Sequence, residues 1–202
     1  VGYDDEATAR VKGDLAMVDV IRSAVRDRQQ PLRQPLRIPY GVQHLTLSIE
    51  DSAEIIKQAR RRFRTHNAGR KYVTAMLFER LAASHRNDDS PEVVRERTRR
   101  EIEVREALEW MWPVLSPAEL LNDCFGSPAL LRSATERHLG AVRGALLKRE
   151  RCSDPRDAVF THNDVPLLDE AAERLGPRPR HADVESVRTY GHIVVDEAQD
   201  LS

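Results

Sequence analysis

A short apolar run followed directly by acidic residues stands near the end of the chain. Ile193, Val194 and Val195 are consecutive and β-branched. Because none of them alternates with a polar residue, they predict a strand buried on both faces of a sheet. Asp196 and Glu197 follow at once. At the carboxyl end of such a strand, these two side chains would stand at the rim where open α/β sheets bind their ligands.

Two carboxylates in this position have the geometry of a Walker B motif. In an ATP-hydrolysing site one carboxylate holds Mg²⁺, directly or through its waters, and a second orients or deprotonates the attacking water. The alternative is that the acids only complement the dipole of a following helix. The complete run Asp196–Asp200 after three buried β-branched residues favours the chemical interpretation.

This run, Asp-Glu-Ala-Gln-Asp, resembles motif II of superfamily 1 helicases of the UvrD/Rep group. Tyr190 before the apolar run resembles the approach to that motif. The resemblance implies that Asp196 binds Mg²⁺, that Glu197 is the catalytic base, and that Gln199 helps to couple the nucleotide state to the rest of the motor. It therefore implies ATP and Mg²⁺ as cofactors and an ATP hydrolase as the parent protein.

A motor of this kind also needs a glycine-rich loop that ends in Gly-Lys-Ser or Gly-Lys-Thr. The nearest sequence is Gly140 and Gly144 before Lys148, but Ala145 follows Gly144. We therefore expect the chain to be a fragment that begins after the phosphate loop and stops after the Mg²⁺-binding strand. Such a fragment should be inactive alone and should need the remainder of the same polypeptide.

The composition favours a soluble, helix-rich, cytoplasmic protein. Charged residues make up 32% and hydrophobic residues 40% of 202 residues, and the net charge of −1 argues against a uniformly basic nucleic-acid clamp. Cys124 and Cys152 lack the spacing of a zinc site or a disulfide framework, so we expect free thiols in a reducing cytosol. No apolar run approaches the roughly 18–20 residues that span a bilayer, and the first residues are polar, so we expect no membrane partner and no secretory signal.

Hydrophobic spacing in the first third of the chain predicts a long helix and then a hairpin. Residues 4–28 carry apolar side chains at helical spacing and should form one amphipathic helix that includes Leu15. Alternation in 36–38 and 42–49 predicts two strands joined by a turn at 39–41. On the second strand we expect one packed face, which is formed by Val42, Leu45, Leu47 and Ile49.

A helix capped by Ser48 or Asp51 should follow the hairpin. Its end carries a basic cluster, which consists of Arg60, Arg61, Arg62 and Arg64. These arginines are candidate contacts to nucleic acid or to a protein partner. The competing and favoured interpretation is structural, because helix C-termini collect cations that complement the dipole.

The remainder of the chain predicts further helices. Residues 67–69 should break the helix before the next one at 70–84. Residues 91–110 should form one densely charged helix, solvent-facing or packed on one neighbour, with a stripe of Val94, Ile102 and Leu108. We expect Trp110 and Trp112 to seal the base of this segment.

Capping residues also predict where the later helices begin and end. Ser116 and Glu119 form a predicted capping box. Further helices are expected after Ser127, from Leu139 to Leu147, and from about 165 to 175, where Gly176 ends the last one.

Three further segments are similar to the actinobacterial HelD group, including its HelR members: Tyr72–Leu81, Leu115–Leu121 and Asp164–Ala171. The resemblance implies a UvrD-like ATPase that binds RNA polymerase core rather than unwinding DNA as its main task. In that family the first RecA-like domain carries a helical clamp-opening insertion. Residues 86–157 would be that insertion here.

The expected fold is therefore mostly α with a small β component, within a RecA-like α/β domain of a P-loop NTPase. Residues 1–85 would be part of the first RecA-like domain, with a hairpin near 34–49. Residues 86–157 would be the helical insertion, and 158–202 would return to the RecA-like domain with the Walker B strand.

Two classes of function follow from these expectations. In the first, the chain belongs to an ATP-driven motor that binds RNA polymerase and releases it from stalled or inhibited complexes, with a DNA-binding repair helicase of the UvrD/Rep type as the close variant. In the second, it is a helical docking module without catalysis. Fold-level resemblance alone does not establish either one.

Overall fold

The computed structural model describes residues 2–84 and 89–179. Over these residues the chain is mostly helical, with a two-stranded antiparallel sheet. The expected mostly α fold with a small β component is thus confirmed. None of the helices in the two described ranges is both long enough and apolar enough to cross a membrane.

The elements follow one another along the chain as helices with one hairpin between them. The α-helices are α1 Glu6–Lys12, α2 Ala16–Asp27, α3 Ile49–Arg62, α4 His66–Ala83, α5 Pro91–Thr98, α6 Ile102–Met111, α7 Pro117–Gly126, α8 Pro128–Thr135, α9 Gly140–Ala145 and α10 Val165–Leu175. The strands are β1 Leu36–Tyr40 and β2 Gln43–Leu47, and single 3₁₀ turns lie at Pro155–Asp157 and His162–Asp164.

The N-terminal segment forms two helices, so the predicted single helix over 4–28 is wrong. Helix α1 ends at Lys12, with Gly13 as its C-cap. The Asp14 carboxylate then accepts a hydrogen bond from the Ala16 N–H at 2.8 Å, which is a local alternative to continuing the helix. Leu15 lies in this break and is 87% exposed, so it is not part of a buried stripe.

The predicted β-hairpin is confirmed, but its turn is displaced. Tyr40 pairs with Gln43, which leaves Gly41 and Val42 as the loop. Gly41 has φ +61°, a conformation that the preferred two-residue hairpin turns require and that glycine adopts without strain. Val42 is therefore fully exposed at the tip, and its predicted place on the packed face is wrong.

Helix α3 begins as predicted, because the Ser48 hydroxyl accepts a hydrogen bond from the Asp51 N–H at 3.0 Å. Ile49 is the first residue of α3 rather than the end of a strand.

Helix α4 runs through the residues that were predicted to break it. It begins at His66 and includes Gly69. A Cβ built on Gly69 would lie 2.7 Å from Cζ2 of Trp112. The glycine is thus needed because the indole of Trp112 packs directly on the helix backbone, and a tertiary contact rather than a turn explains it.

The predicted single helix over 91–110 is wrong, because this charged segment folds back on the body of the protein as two helices. Helix α5 packs on α4, and α6 packs on β1. Val94 and Leu108 are buried as predicted, whereas Ile102 is 56% exposed. The Thr98 hydroxyl donates to the Val94 carbonyl at 2.7 Å at the end of α5. The alternative in which this segment packs on a neighbour is therefore the correct one.

The capping box of Ser116 and Glu119 is confirmed at the start of α7, and Ser127 caps α8. The helix predicted from Leu139 to Leu147 is present but shorter, as α9. Val142 in this helix is 83% exposed and does not pack in a core.

Two hydrophobic cores organise the fold. The first contains buried residues from 32–112, contributed by the hairpin and by α3 to α6. The second contains buried residues from 11–25 and 115–175, contributed mainly by α1, α2, α7, α8 and α10. The predicted boundary at 86 thus falls inside the first core. The assignment of these segments to a RecA-like domain and its insertion stays a prediction.

Polar side chains join the two cores. Asn67 at the start of α4 is 1% exposed. Its Nδ2 donates to the carbonyls of Leu115 and Gly176, both at 2.9 Å. Its Oδ1 accepts from the Leu115 N–H at 3.1 Å. We call this junction, formed by His66, Asn67 and the backbone near Leu115 and Gly176, the seam.

The contact between Gly69 and Trp112 can be tested with Gly69→Ala. Alanine raises helix propensity by up to about 1 kcal/mol, but the new Cβ overpacks the contact with Trp112, which costs about 1–3 kcal/mol. We expect a net loss in the free energy of unfolding, measured by urea denaturation. Gly13→Ala is the matched control, because its Cβ would meet only ordinary contacts. Equal stability of the two variants would contradict this packing.

Candidate functional site

The residues predicted to bind and hydrolyse ATP lie outside the described part of the chain. Asp196, Glu197 and Gln199 all fall beyond residue 179, so their roles stay predictions. Within 2–84 and 89–179, no group of three or more His, Cys, Asp or Glu side chains is placed to hold a metal ion. The candidate site that can be described is the arginine cluster at the junction of α3 and α4.

Helix α3 separates its charges along its axis. Glu50 and Asp51 lie in the first turn, and three arginines lie in the last turn. A helix of 14 residues is about 20 Å long, so the acids at one end hardly neutralise the arginines at the other. Each group also complements the end of the dipole at which it lies.

Arg60 is exposed, but its guanidinium is bonded back to the protein. Its Nη2 donates to the carbonyl of Gln29 at 2.5 Å and to that of Arg26 at 3.3 Å, and its Nε donates to Gln29 Oε1 at 3.1 Å. The Arg26 carbonyl belongs to the last turn of α2 and Gln29 follows its C-cap, a region where the last acceptors of a helix lack intrahelical donors. Burial lowers the pKa of the Arg60 guanidinium, and the charge of Arg26 lowers it further. Arg60 therefore supports the structural interpretation of the cluster.

Arg62 points away from the core and is held by aromatic rings. Its guanidinium lies 5.2 Å from the ring centroid of Tyr72 and 5.9 Å from that of Phe63. The Tyr72 hydroxyl donates to Gln58 Oε1 at 2.6 Å, which fixes the ring. Cation–π contacts of this kind restrict the side chain while leaving its donors available.

Arg61 and Arg64 are exposed beside Arg62. The side chain of Arg64 is 93% exposed, and its contact with Glu173 is long, at 3.9 Å. An ion pair so exposed contributes little to stability. We call Arg61, Arg62 and Arg64 the arginine surface, because their charges face solvent whereas Arg60 caps α2.

A buried histidine lies behind this surface. His66 is 2% exposed and stacks on Trp112 with ring centroids 5.0 Å apart. Its Nε2 lies 2.6 Å from the Pro113 carbonyl, and its Nδ1 lies 3.1 Å from Nε2 of Gln29. Since a carbonyl only accepts, Nε2 carries the proton and Nδ1 accepts from the amide. Burial lowers the pKa of His66 to about 4, so the ring is neutral at pH 7.

A buried ionic cluster ties the N-terminal segment to the residues before α10. Lys12 Nζ lies 2.8 Å from Asp4, 2.9 Å from Asp164 and 3.0 Å from the Thr161 hydroxyl. Arg149 pairs with the other oxygen of Asp164 at 3.0 Å. Burial acts to raise the pKa of Asp4, but hydrogen bonds led by that of Lys12 outweigh it, and the pKa is lowered. Sequence analysis missed this cluster, because about 150 residues separate Lys12 from Asp164 and no local pattern links them.

Both cysteines are free thiols, as expected. Cys124 is buried in the second core. Burial raises the pKa of its thiol to about 12, so it stays protonated near pH 7 and is a poor nucleophile.

Comparison with models of known protein families gives no match, and comparison with characterised proteins gives none either. The resemblance to superfamily 1 helicases and to the HelD group therefore stays a prediction that depends on the residues named above.

Arg60 and Arg61 form a matched pair for testing the two roles of the cluster. Arg60→Ala removes charged donors from the carbonyls of Arg26 and Gln29, and because the side chain is exposed we expect a loss of about 1 kcal/mol in the free energy of unfolding. Arg61→Ala should change it by less than about 0.5 kcal/mol. Urea denaturation at constant salt measures both values. If Arg60→Ala were as stable as Arg61→Ala, the structural role of Arg60 would be contradicted.

His66 predicts a dependence of stability on pH. Its folded pKa is about 4, whereas the unfolded value is about 6.5. As the pH falls below about 6.5, His66 becomes protonated in the unfolded chain but stays neutral in the folded chain. The free energy of unfolding therefore decreases between about pH 6.5 and pH 4.

The matched variant is His66→Gln, which does not titrate in this range. Between pH 7.5 and 4.5 we expect the wild type to lose about 2 kcal/mol more in the free energy of unfolding than this variant. The carboxylates titrate in both proteins, so their contribution cancels when the loss in the free energy of unfolding of the wild type is compared with that of the variant. Equal losses would show that His66 is not buried in its neutral form.

Proposed function

We propose that this chain is part of an ATP-dependent motor of the UvrD-like group that binds RNA polymerase and releases it from stalled or inhibited complexes. The observation that carries the proposal is the run Asp196–Asp200 directly after Ile193–Val195. A buried strand that ends in this pair of carboxylates suits the chemistry of ATP hydrolysis. A RecA-like domain that carries a helical insertion is the finer architecture that belongs to this proposal.

Each residue of the motif has a role in this proposal. ATP bound with Mg²⁺ supplies the phosphoryl group that is transferred to water. Asp196 holds the metal ion, Glu197 orients or deprotonates the attacking water, and Gln199 communicates the nucleotide state. The remainder of the motor polypeptide would supply the phosphate loop.

The described helices supply secondary support. The three segments that resemble the HelD group lie in α4, at the start of α7 and in α10. Helix α10 packs on both α4 and α7, so these segments are neighbours in space although they are distant in sequence. Such clustering is expected if they mark one shared structural unit. They are packing positions, however, and carry no chemistry of their own.

The arginine surface favours an acidic partner. Arg61, Arg62 and Arg64 present guanidinium groups that pair with carboxylates and phosphates alike. An acidic face of RNA polymerase fits the main proposal. The phosphates of duplex DNA fit the alternative of a repair helicase.

Binding assays with charge variants test the partner. We expect core RNA polymerase to bind the chain, and the triple variant Arg61→Glu, Arg62→Glu and Arg64→Glu to bind about tenfold or more weakly. A second triple variant, Arg10→Glu, Arg22→Glu and Arg26→Glu, makes the same change of net charge at exposed sites outside the predicted insertion and should bind nearly as well as the wild type. Surface-bound polymerase and a titration of each variant give the affinities.

Duplex DNA in the same assay separates the alternatives. Salt-dependent DNA binding without polymerase binding would contradict the main proposal and favour a repair helicase. In that case the slope of log K against log salt should fall by about 2–3 when the arginine surface is reversed.

Glu197→Gln in the intact motor distinguishes a motor from a docking module. The variant should bind polymerase but fail to release it when ATP is added. Unchanged release by this variant would favour the docking module.

A further inference from the structure

A groove opens between the start of the hairpin and α6. Its volume is about 480 Å³, which is within the range of binding cavities in proteins. Residues 32–37 form one wall and α6 forms the other. Leu32, Leu36 and Ala107 are buried and give the groove an apolar floor. None of its lining residues belongs to the arginine surface.

Trp110 stands in this groove as a fixed aromatic wall. It is 37% exposed, whereas Trp112 is 1% exposed. The indole N–H of Trp110 donates to the Pro31 carbonyl at 2.8 Å. The Arg33 guanidinium lies 4.0 Å from the ring centroid. The ring is therefore held in place before any partner arrives, so little side-chain entropy remains to be lost on binding.

The two walls carry opposite charges. Arg33 and Arg37 are exposed on the hairpin side, and Glu103 and Glu106 are exposed on the helix side. The two glutamates and Trp110 lie at positions i, i+3 and i+7 of α6, which places them on one face.

The combination of charges decides between classes of partner. Carboxylates on one wall repel the phosphates of a nucleic acid, which disfavours nucleic acid as the occupant. Tryptophan and arginine are the residues most enriched in the centres of protein–protein interfaces. An apolar floor between a basic and an acidic wall is complementary to a polypeptide with an apolar side chain between an acid and a base.

We propose that this groove binds a short segment of a partner protein. An apolar side chain of that segment packs on Leu36 and Trp110. A carboxylate on one side of the anchor pairs with Arg33 or Arg37, and a lysine or arginine on the other side pairs with a glutamate of α6. The proposal does not depend on the motor function, since neither ATP nor polymerase is needed for it.

The probe is a phage-displayed library of random dodecapeptides selected on the whole chain. We expect the enriched peptides to carry an apolar or aromatic residue between an acid and a base. Synthetic copies should shift the emission of Trp110 to shorter wavelength when they bind, because they cover its exposed edge. The Trp110→Phe variant, which retains Trp112, should not show this shift.

Charge reversal at the groove provides the decisive comparison. The double variant Glu103→Arg and Glu106→Arg changes exposed side chains and should keep the fold while it weakens peptide binding at least tenfold, measured by fluorescence polarisation. The matched control is Glu136→Arg with Glu150→Arg, which makes the same charge change at exposed positions elsewhere and should bind as the wild type does.

Two results would overturn the proposal. One is a selection that enriches no peptide above the level obtained on an unrelated protein. The other is a set of enriched peptides that bind the groove variant and the control variant equally well. Loss of polymerase binding by the chain would leave these outcomes unaffected, so the groove and the motor proposal fail independently.

Discussion

The fold depends on the hydrogen bonds of Asn67, which join two separate hydrophobic cores. One amide side chain bonds the backbone of Leu115 and of Gly176, so α4, the chain that leaves α6, and the end of α10 meet at one point. Its site is almost wholly buried, where an unpaired amide would be costly. His66 and Trp112 surround it with a stacked pair and a hydrogen bond from the indole to the His66 carbonyl. The seam is thus defined by directional contacts, whereas the cores on each side are defined by apolar burial.

The arginines near the seam show how one residue type serves two purposes within a few positions. Arg60 donates to the carbonyls of Arg26 and Gln29, in and just after the last turn of α2. Arg61 and Arg64 turn outward, and Arg62 rests on aromatic rings. A run of arginines at a helix end is therefore neither wholly structural nor wholly a binding patch. The partition is set by which carbonyls the fold brings within reach.

Local patterns predicted much of the secondary structure correctly. The Ser48 cap, the capping box at Ser116 and the hairpin follow from interactions within a few residues of each other. The errors have two causes, because some depend on a contact across the fold and others on a local hydrogen bond or turn. Gly69 looked like a helix breaker but accommodates Trp112, whereas Leu15 looked like a core residue but lies in a break made by its neighbour Asp14.

The sequence by itself determined the mostly helical fold with one hairpin, because helical spacing, alternation and caps act over a few residues. It also contains the run Asp196–Asp200, whose role as a Walker B motif stays a prediction. Only the tertiary structure decided that Lys12 meets Asp164 and that Trp110 faces a charged groove. These contacts join residues that are far apart along the chain, so no local sequence pattern predicts them. They form only because tertiary packing brings the residues together.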